Sequence, residues 1–209
     1  LVDAIEALRS AHRNEPENVF FMIQLGEFLR QDGKAEEAIP ILEQATELAP
    51  KDADAWTSLG MAFQQEKEIS KATQAYEKVL VLDPQSAGVN CNLGAIEMES
   101  RRWDSALVYY RRAVDLDPSR FEAHFNLGTV LSKKGELDDA EVSLRKAHAL
   151  RPDDSEVLNN LGNMLLKSGR LDEAEASYKK AILLRPGFRE ARSNLGEILL
   201  TKGLYNKAL

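Results

Sequence analysis

Leu-Gly pairs recur at a fixed interval of 34 residues: Leu25-Gly26, Leu59-Gly60, Leu93-Gly94, Leu127-Gly128, Leu161-Gly162 and Leu195-Gly196. Twelve residues after each glycine stands an alanine, at Ala38, Ala72, Ala106, Ala140, Ala174 and Ala208. Pro16, Pro50, Pro84, Pro118, Pro152 and Pro186 keep the same register, so the period runs without insertion or deletion. A period of this length means a stacked array of supersecondary units, each burying its apolar face on its neighbours.

Within one period the apolar residues fall into two helical patterns. Between Asp54 and Glu66, Ala55, Trp56, Leu59, Met61, Ala62 and Phe63 recur at helical spacing, and from Ile69 to Leu82 so do Ala72, Ala75, Tyr76, Val79 and Leu82. The turn between the two helices carries Gly33, Gly135, Gly169 and Gly203 in four units, where a residue that tolerates positive φ can end a helix; Lys67 and Arg101 hold that place in the other two. Proline stops the second helix, since it lacks the N–H and clashes with a continuing turn. Gly60 and Ala72 are expected to face each other where the helices cross, with the same pair in every unit. Pro40 is a misfit inside a second helix that starts at Lys34 or Ala35; it should remove one intrahelical bond and bend that helix locally.

The second unit displays Trp56-x2-Leu59-Gly60-x2-Phe63, then Ala72-x3-Tyr76, Val79 and Pro84. This resembles the tetratricopeptide repeat, a helix-turn-helix unit of the same period and signature. The resemblance implies an all-α, right-handed superhelical solenoid of antiparallel helix pairs. Its expected organisation is a partial repeat at 1–16, full repeats at 19–52, 53–86, 87–120, 121–154 and 155–188, and a partial repeat at 189–209. Ala4, Leu8, Ala11 and Pro16 match second-helix positions of a unit without its first helix, and Ala208 with Leu209 opens a second helix at the other end. These features give the expectation of a fragment of a longer chain. The apolar Val2, Ile5 and Leu8 at one end, and Ile198, Leu199, Leu204 and Leu209 at the other, add an expectation of end-to-end self-association.

Composition narrows the function classes. The formal charge is −7, with Asp and Glu spread through the repeats, which disfavours a nucleic-acid or anionic-membrane partner. No apolar run approaches the roughly eighteen residues of a membrane span. The single Cys91 excludes an internal disulfide and fits a reducing compartment, so a cytoplasmic location is expected.

Catalytic chemistry is not evident. His12, His124 and His148 are far apart in an extended array, without Cys or carboxylate partners at ligand spacing, and read as surface or groove residues rather than metal ligands. Cys91 has no histidine in its own unit and reads as a small groove-lining residue rather than a nucleophile. Neither GxGxxG nor GxxxxGK[ST] occurs, and the pairs Asp138-Asp139 and Asp153-Asp154 sit at helix starts, where negative charge opposes the helix dipole. The expectation is no enzyme, no cofactor and no metal.

What remains is the surface. The resemblance implies that first helices line a concave face and that positions two, five, six, nine and twelve of each unit point into it. Position six reads Gln24, Ser58, Asn92, Asn126, Asn160 and Asn194, ending in four successive asparagines. Asn is a mediocre helix former, so its recurrence in mid-helix calls for a reason. An amide can bond both the C=O and the N–H of an extended peptide. Packed helices lie roughly 8–10 Å apart and a strand rises about 3.3 Å per residue, so each Asn would meet about every third residue of such a ligand. The alternative is a duplicated template in which Asn bonds neighbouring helices or water.

Selectivity would come from the other groove positions. Phe20, Ile23, Met61, Cys91, Phe125 and Met98 give an apolar N-terminal half, whereas Asn159 and Asn163 make the C-terminal half amide-rich. The Lys and Arg at positions two, five and six with which chaperone-binding members of the family hold a terminal carboxylate are missing. Asp54, Glu122, Glu156 and Glu190 at position two should favour a basic or neutral ligand whose affinity weakens with salt. Asn160-Leu161-Gly162-Asn163, followed by Gly169-Arg170-Leu171-Asp172-Glu173-Ala174, is similar to the helical-repeat portion of O-linked N-acetylglucosamine transferases and to bacterial arrays. The leading expectation is therefore a protein- or peptide-binding scaffold. The rival is the substrate-recruiting arm of a glycosyltransferase whose catalytic domain lies outside this chain.

Overall fold

The computed structural model describes residues 1–203, and among them the chain is a succession of twelve α-helices without strands. First helices are α2 (Val19–Gln31), α4 (Ala53–Gln65), α6 (Ala87–Glu99), α8 (Phe121–Lys134), α10 (Ser155–Lys167) and α12 (Arg189–Thr201). Second helices are α1 (Val2–Asn14), α3 (Ala35–Leu48), α5 (Ile69–Leu82), α7 (Trp103–Leu116), α9 (Leu137–Leu150) and α11 (Leu171–Leu184). The chain forms two compact units, one from Leu1 to Ile96 and one beginning at Glu97. In the first, α2 packs on α3 and α4 on α5; in the second, α8 packs on α9 and α10 on α11. Ala208, Leu204 and Leu209 lie outside the described residues, and with them the last glycine-alanine pair.

Helix starts follow their caps. Asp52 and Asp154 each accept two backbone N–H groups, from Asp54 and Ala55 and from Glu156 and Val157, at 2.8–3.1 Å. Asp138 and Asp139 occupy the first turn of α9. The turns inside the pairs take positive φ at all six places: 70–85° at Gly33, Gly135, Gly169 and Gly203, 61° at Lys67 and 57° at Arg101. At Lys67 the turn is closed by bonds from Lys67 N–H to the Gln64 carbonyl (3.1 Å) and from Glu68 N–H to the Phe63 carbonyl (2.8 Å). An L side chain is strained in this conformation and glycine is not. Lys67→Gly is expected to stabilise the chain by up to about 1 kcal/mol, read as a higher urea midpoint; an unchanged or lower midpoint would show that this lysine is held by contacts worth more than the strain.

The repeat glycines make room for a different residue from the one the sequence suggests. A Cβ on Gly60 would lie 2.6 Å from the Tyr76 ring, one on Gly26 2.6 Å from Leu42, and one on Gly128 2.7 Å from Leu144. Tyr76, Leu42, Leu144 and Tyr178 are fully buried, four residues beyond Ala72, Ala38, Ala140 and Ala174, which are also fully buried. The alanine therefore closes the pair, while the glycine accommodates the large side chain one helical turn on. Gly94 and Ala106 are buried too.

Pro40 lies within α3, on its exposed side, and the helix runs from Ala35 to Leu48 around it. The core of the second unit gathers Tyr110, Leu131, Leu144, Met164, Tyr178 and Ile198 at 0–2 % exposure. It holds α8, α10 and α12 in register and so fixes the surface described next.

Candidate functional site

In the second unit three successive first helices, α8, α10 and α12, stand side by side, with α8 against α10 and α10 against α12. Their free faces enclose a concavity of about 350 Å³. Its polar lining comprises the uncharged Thr129, Asn160, Asn163 and Asn194, called the amide floor below, the cations Lys133 and Lys167 from α8 and α10, and the carboxylates Glu190 and Glu197 from α12. Three of the asparagines expected to line a groove thus meet in one place.

Side-chain bonds join the floor. Asn160 donates from Nδ2 to Thr129 Oγ1 at 3.0 Å, and Asn194 donates to Asn163 Oδ1 at 2.8 Å and to Asn159 Oδ1 at 3.1 Å. The Tyr178 hydroxyl also donates to Asn163 Oδ1, at 2.7 Å, and Asn159 Nδ2 donates to Glu190 Oε1 at 3.0 Å. In the first unit Ser58 Oγ donates to Glu27 Oε1 at 3.1 Å. The rule is common to both units: a position-six side chain reaches position nine of the preceding first helix. Burial raises the Tyr178 hydroxyl pKa, and the Glu197 and Glu190 carboxylates push it in the same direction, so the phenol stays a donor at neutral pH.

These bonds use some of the amide atoms and not others. Asn194 donates from Nδ2 to two acceptors on α10, and its Oδ1 takes no part in these bonds. Asn163 accepts twice at Oδ1 and retains its NH₂. Asn160 commits one donor to Thr129 and keeps the other N–H and Oδ1. The bonds between first helices are those expected of a duplicated template in which Asn joins neighbouring helices.

The other expected groove residues are placed differently. Asn159 is buried beneath the floor, at 2 % exposure. Asn126 is half-buried on α8 and Asn92 half-buried on α6, while the Tyr76 hydroxyl donates to Gln64 Oε1 at 2.9 Å in the first unit. Ile23 packs inside a core cluster with Met22, Ala45 and Ala55, and Cys91 is buried, so these two are core residues rather than groove lining. Phe125 and Met98 pack against the core of the second unit, Phe125 also stacking on Phe121 with centroids 5.8 Å apart. Within a unit the physical reason is that position five faces the following first helix, as Ile23 does toward Ala55 and Asn159 toward Glu190 and Asn194. Phe20 is 63 % exposed and Met61 half-buried, both in the first unit.

The acidic edge is altered as well. Glu122 pairs with Arg151 at 2.6 Å and Glu156 with Arg185 at 3.2 Å, while Glu190 takes the Asn159 amide. Arg151 also stacks over Phe121 at 3.8 Å. Position two is therefore not a free acidic strip, and the basic-ligand preference loses its support at Glu122 and Glu156. Sequence reasoning missed Lys133 and Lys167 as residues of this concavity, although both stand in the last turn of a first helix at the same repeat position.

His124, expected at the surface or in a groove, is instead buried, with Nε2 3.0 Å from the Pro118 carbonyl. No cluster of His, Cys, Asp or Glu suited to a metal ion occurs among the described residues. No helix there is long and apolar enough to cross a membrane.

Comparison with known proteins agrees with this architecture. Solved structures similar to the chain include that of PilF from Pseudomonas aeruginosa, with TM-score 0.81 and 26% identity, covering 94% of this chain and 88% of that one. YrrB, described as a TPR protein with an unusual peptide-binding site, gives TM-score 0.69 and 24% identity over 96% of this chain and 100% of that one. TTC0263, a TPR protein of Thermus thermophilus, gives 0.66 and 26% over 87% and 99%. No curated protein sequence matches. The profile described as the cilia and flagella-associated protein 70 C-terminal domain matches residues 2–206. With helices at an unbroken tetratricopeptide period through the described residues, the chain is an all-α tetratricopeptide-repeat protein and belongs to the family of the cilia and flagella-associated protein 70 C-terminal domain.

Proposed function

We propose that the chain is a non-catalytic scaffold that holds an extended segment of a partner protein on the amide floor of its second unit. The observation that carries this reading is the set of amide atoms in the concavity that take no part in the bonds between helices: the acceptor of Asn194, the donors of Asn163, and one donor with the acceptor of Asn160. A β-extended main chain offers N–H and C=O groups that match such a floor whatever its side chains, and a polar concavity suits main chain better than an apolar anchor. The peptide-binding site named for YrrB accords with this use of the fold.

The test separates the two duties of the amides. Asn160→Ala with Asn194→Ala should abolish capture of peptides selected on the parent from a random library. Thr129→Val removes only the helix-side partner of Asn160 and leaves the amide in place, so capture should persist. Equal loss in both would mean that the amides serve only to join helices.

A further inference from the structure

The concavity has a charge arrangement that its amide floor does not need. Lys133 and Lys167 occupy the last turns of α8 and α10, and both line the concavity. A cation at a helix C-terminus complements the dipole, which accounts for lysine there but not for its lack of a counter-ion. The Lys133 ammonium stands 5.6 Å from the centroid of the Trp103 ring, and that of Lys167 donates to the Ser132 carbonyl at 2.8 Å. Neither meets a carboxylate among the described residues. Outside the concavity the adjacent Lys134 pairs with Asp104 and Glu136, and Lys202 with Asp172 and Glu175. Because Ser132 immediately precedes Lys133, the bond from Lys167 places its ammonium against the last turn of α8, the turn that carries Lys133. On α12, Glu197 lines the concavity without a cation partner among the described residues, whereas Glu190 is engaged by Asn159.

Resting on the peptide-binding reading above, we infer that this concavity takes an extended segment with an acidic side chain seated between Lys133 and Lys167 and a basic side chain seated against Glu197. First helices α10 and α12 are neighbours, so the two seats are roughly 8–10 Å apart and the two side chains about three residues apart in an extended ligand. The floor amides would hold the main chain between them. The pattern gives the ligand a sense along the stack: a peptide of uniform charge meets one like-charged group, whereas one of mixed charge satisfies both.

The probe is a random library of peptides about ten residues long, selected on the whole chain. Selected sequences are expected to carry Asp or Glu about three residues from Lys or Arg. Lys133→Gln with Lys167→Gln should weaken the best of them by roughly threefold to tenfold, the yield of partly exposed ion pairs. Lys133→Glu with Lys167→Glu should shift the selection to basic residues at that place. Both lysines are exposed, and circular dichroism checks the fold; if the charge reversal misfolds, the glutamine pair carries the test. Peptides that depend on Asn160 and Asn194 but show no charge pattern, and bind the glutamine variant equally, would overturn this inference and leave peptide binding standing. A library that yields nothing above background would overturn both.

Discussion

Gly128→Ala is expected to destabilise the chain by about 1–3 kcal/mol, although alanine is ordinarily the better helix former. The new methyl would lie 2.7 Å from Leu144 Cγ and 3.1 Å from the Leu144 backbone nitrogen. A rotamer change could move the first contact, but the second belongs to the backbone of α9 and gives way only if the helices separate. Leu144→Ala alone should cost about 2–5 kcal/mol for the cavity it leaves. Combined, the two should cost less than their sum, with a coupling of about 0.5–3 kcal/mol, because the methyl enters space that the leucine vacates. Strict additivity in urea unfolding would place Gly128 away from Leu144 and contradict the helix crossing described here.

Pro40→Ala should act in the opposite direction, raising stability by up to about 3 kcal/mol. Pro40 has no N–H to offer the Glu36 carbonyl one turn back, and its ring crowds that carbonyl, yet α3 continues to Leu48. The side chain is exposed, so its replacement removes no core contact. At the same place in other repeats stand Gln74, Val108, Val142 and Ala176, all of which can donate the missing bond. Peptide capture by the second unit should be unaffected. An unchanged urea midpoint would mean that the first half of α3 contributes nothing to the cooperative unit.

Much of this architecture is legible in the sequence because its punctuation is local. Ile69 to Leu82 reads as a helix since a positive-φ residue precedes it and Pro84 follows, and the structure returns those bounds for α5. The partner of Gly60 is not legible in the same way. Ala72 and Tyr76 both recur with the period, and only the helix crossing selects Tyr76 as the group that needs the glycine's space. The groove is visible in part. A row of asparagines at position six announces itself, but which of their atoms are used between helices depends on Thr129 and Asn163, each 31 residues from its partner Asn160 or Asn194, and on Tyr178, 15 residues from Asn163. The pairing of Glu122 with Arg151 and Glu156 with Arg185 spans 29 residues, beyond any helical spacing rule, so the acidic edge looks free in the sequence when it is not. Ile23 and Cys91 read as groove lining because one helix considered alone leaves position five open; both are buried in the structure, Ile23 against Ala55 of the next first helix.

The central claim is that the amide floor grips a peptide through its main chain. A scan in which single backbone nitrogens of a selected peptide are methylated tests this most directly, since methylation removes one N–H donor and leaves the side chains unchanged. Affinity is expected to fall at about every third residue, by roughly threefold to tenfold at each, as the spacing of neighbouring first helices and the value of one hydrogen bond require. A flat scan, in which no methylated position binds more weakly than the parent peptide, would contradict the claim.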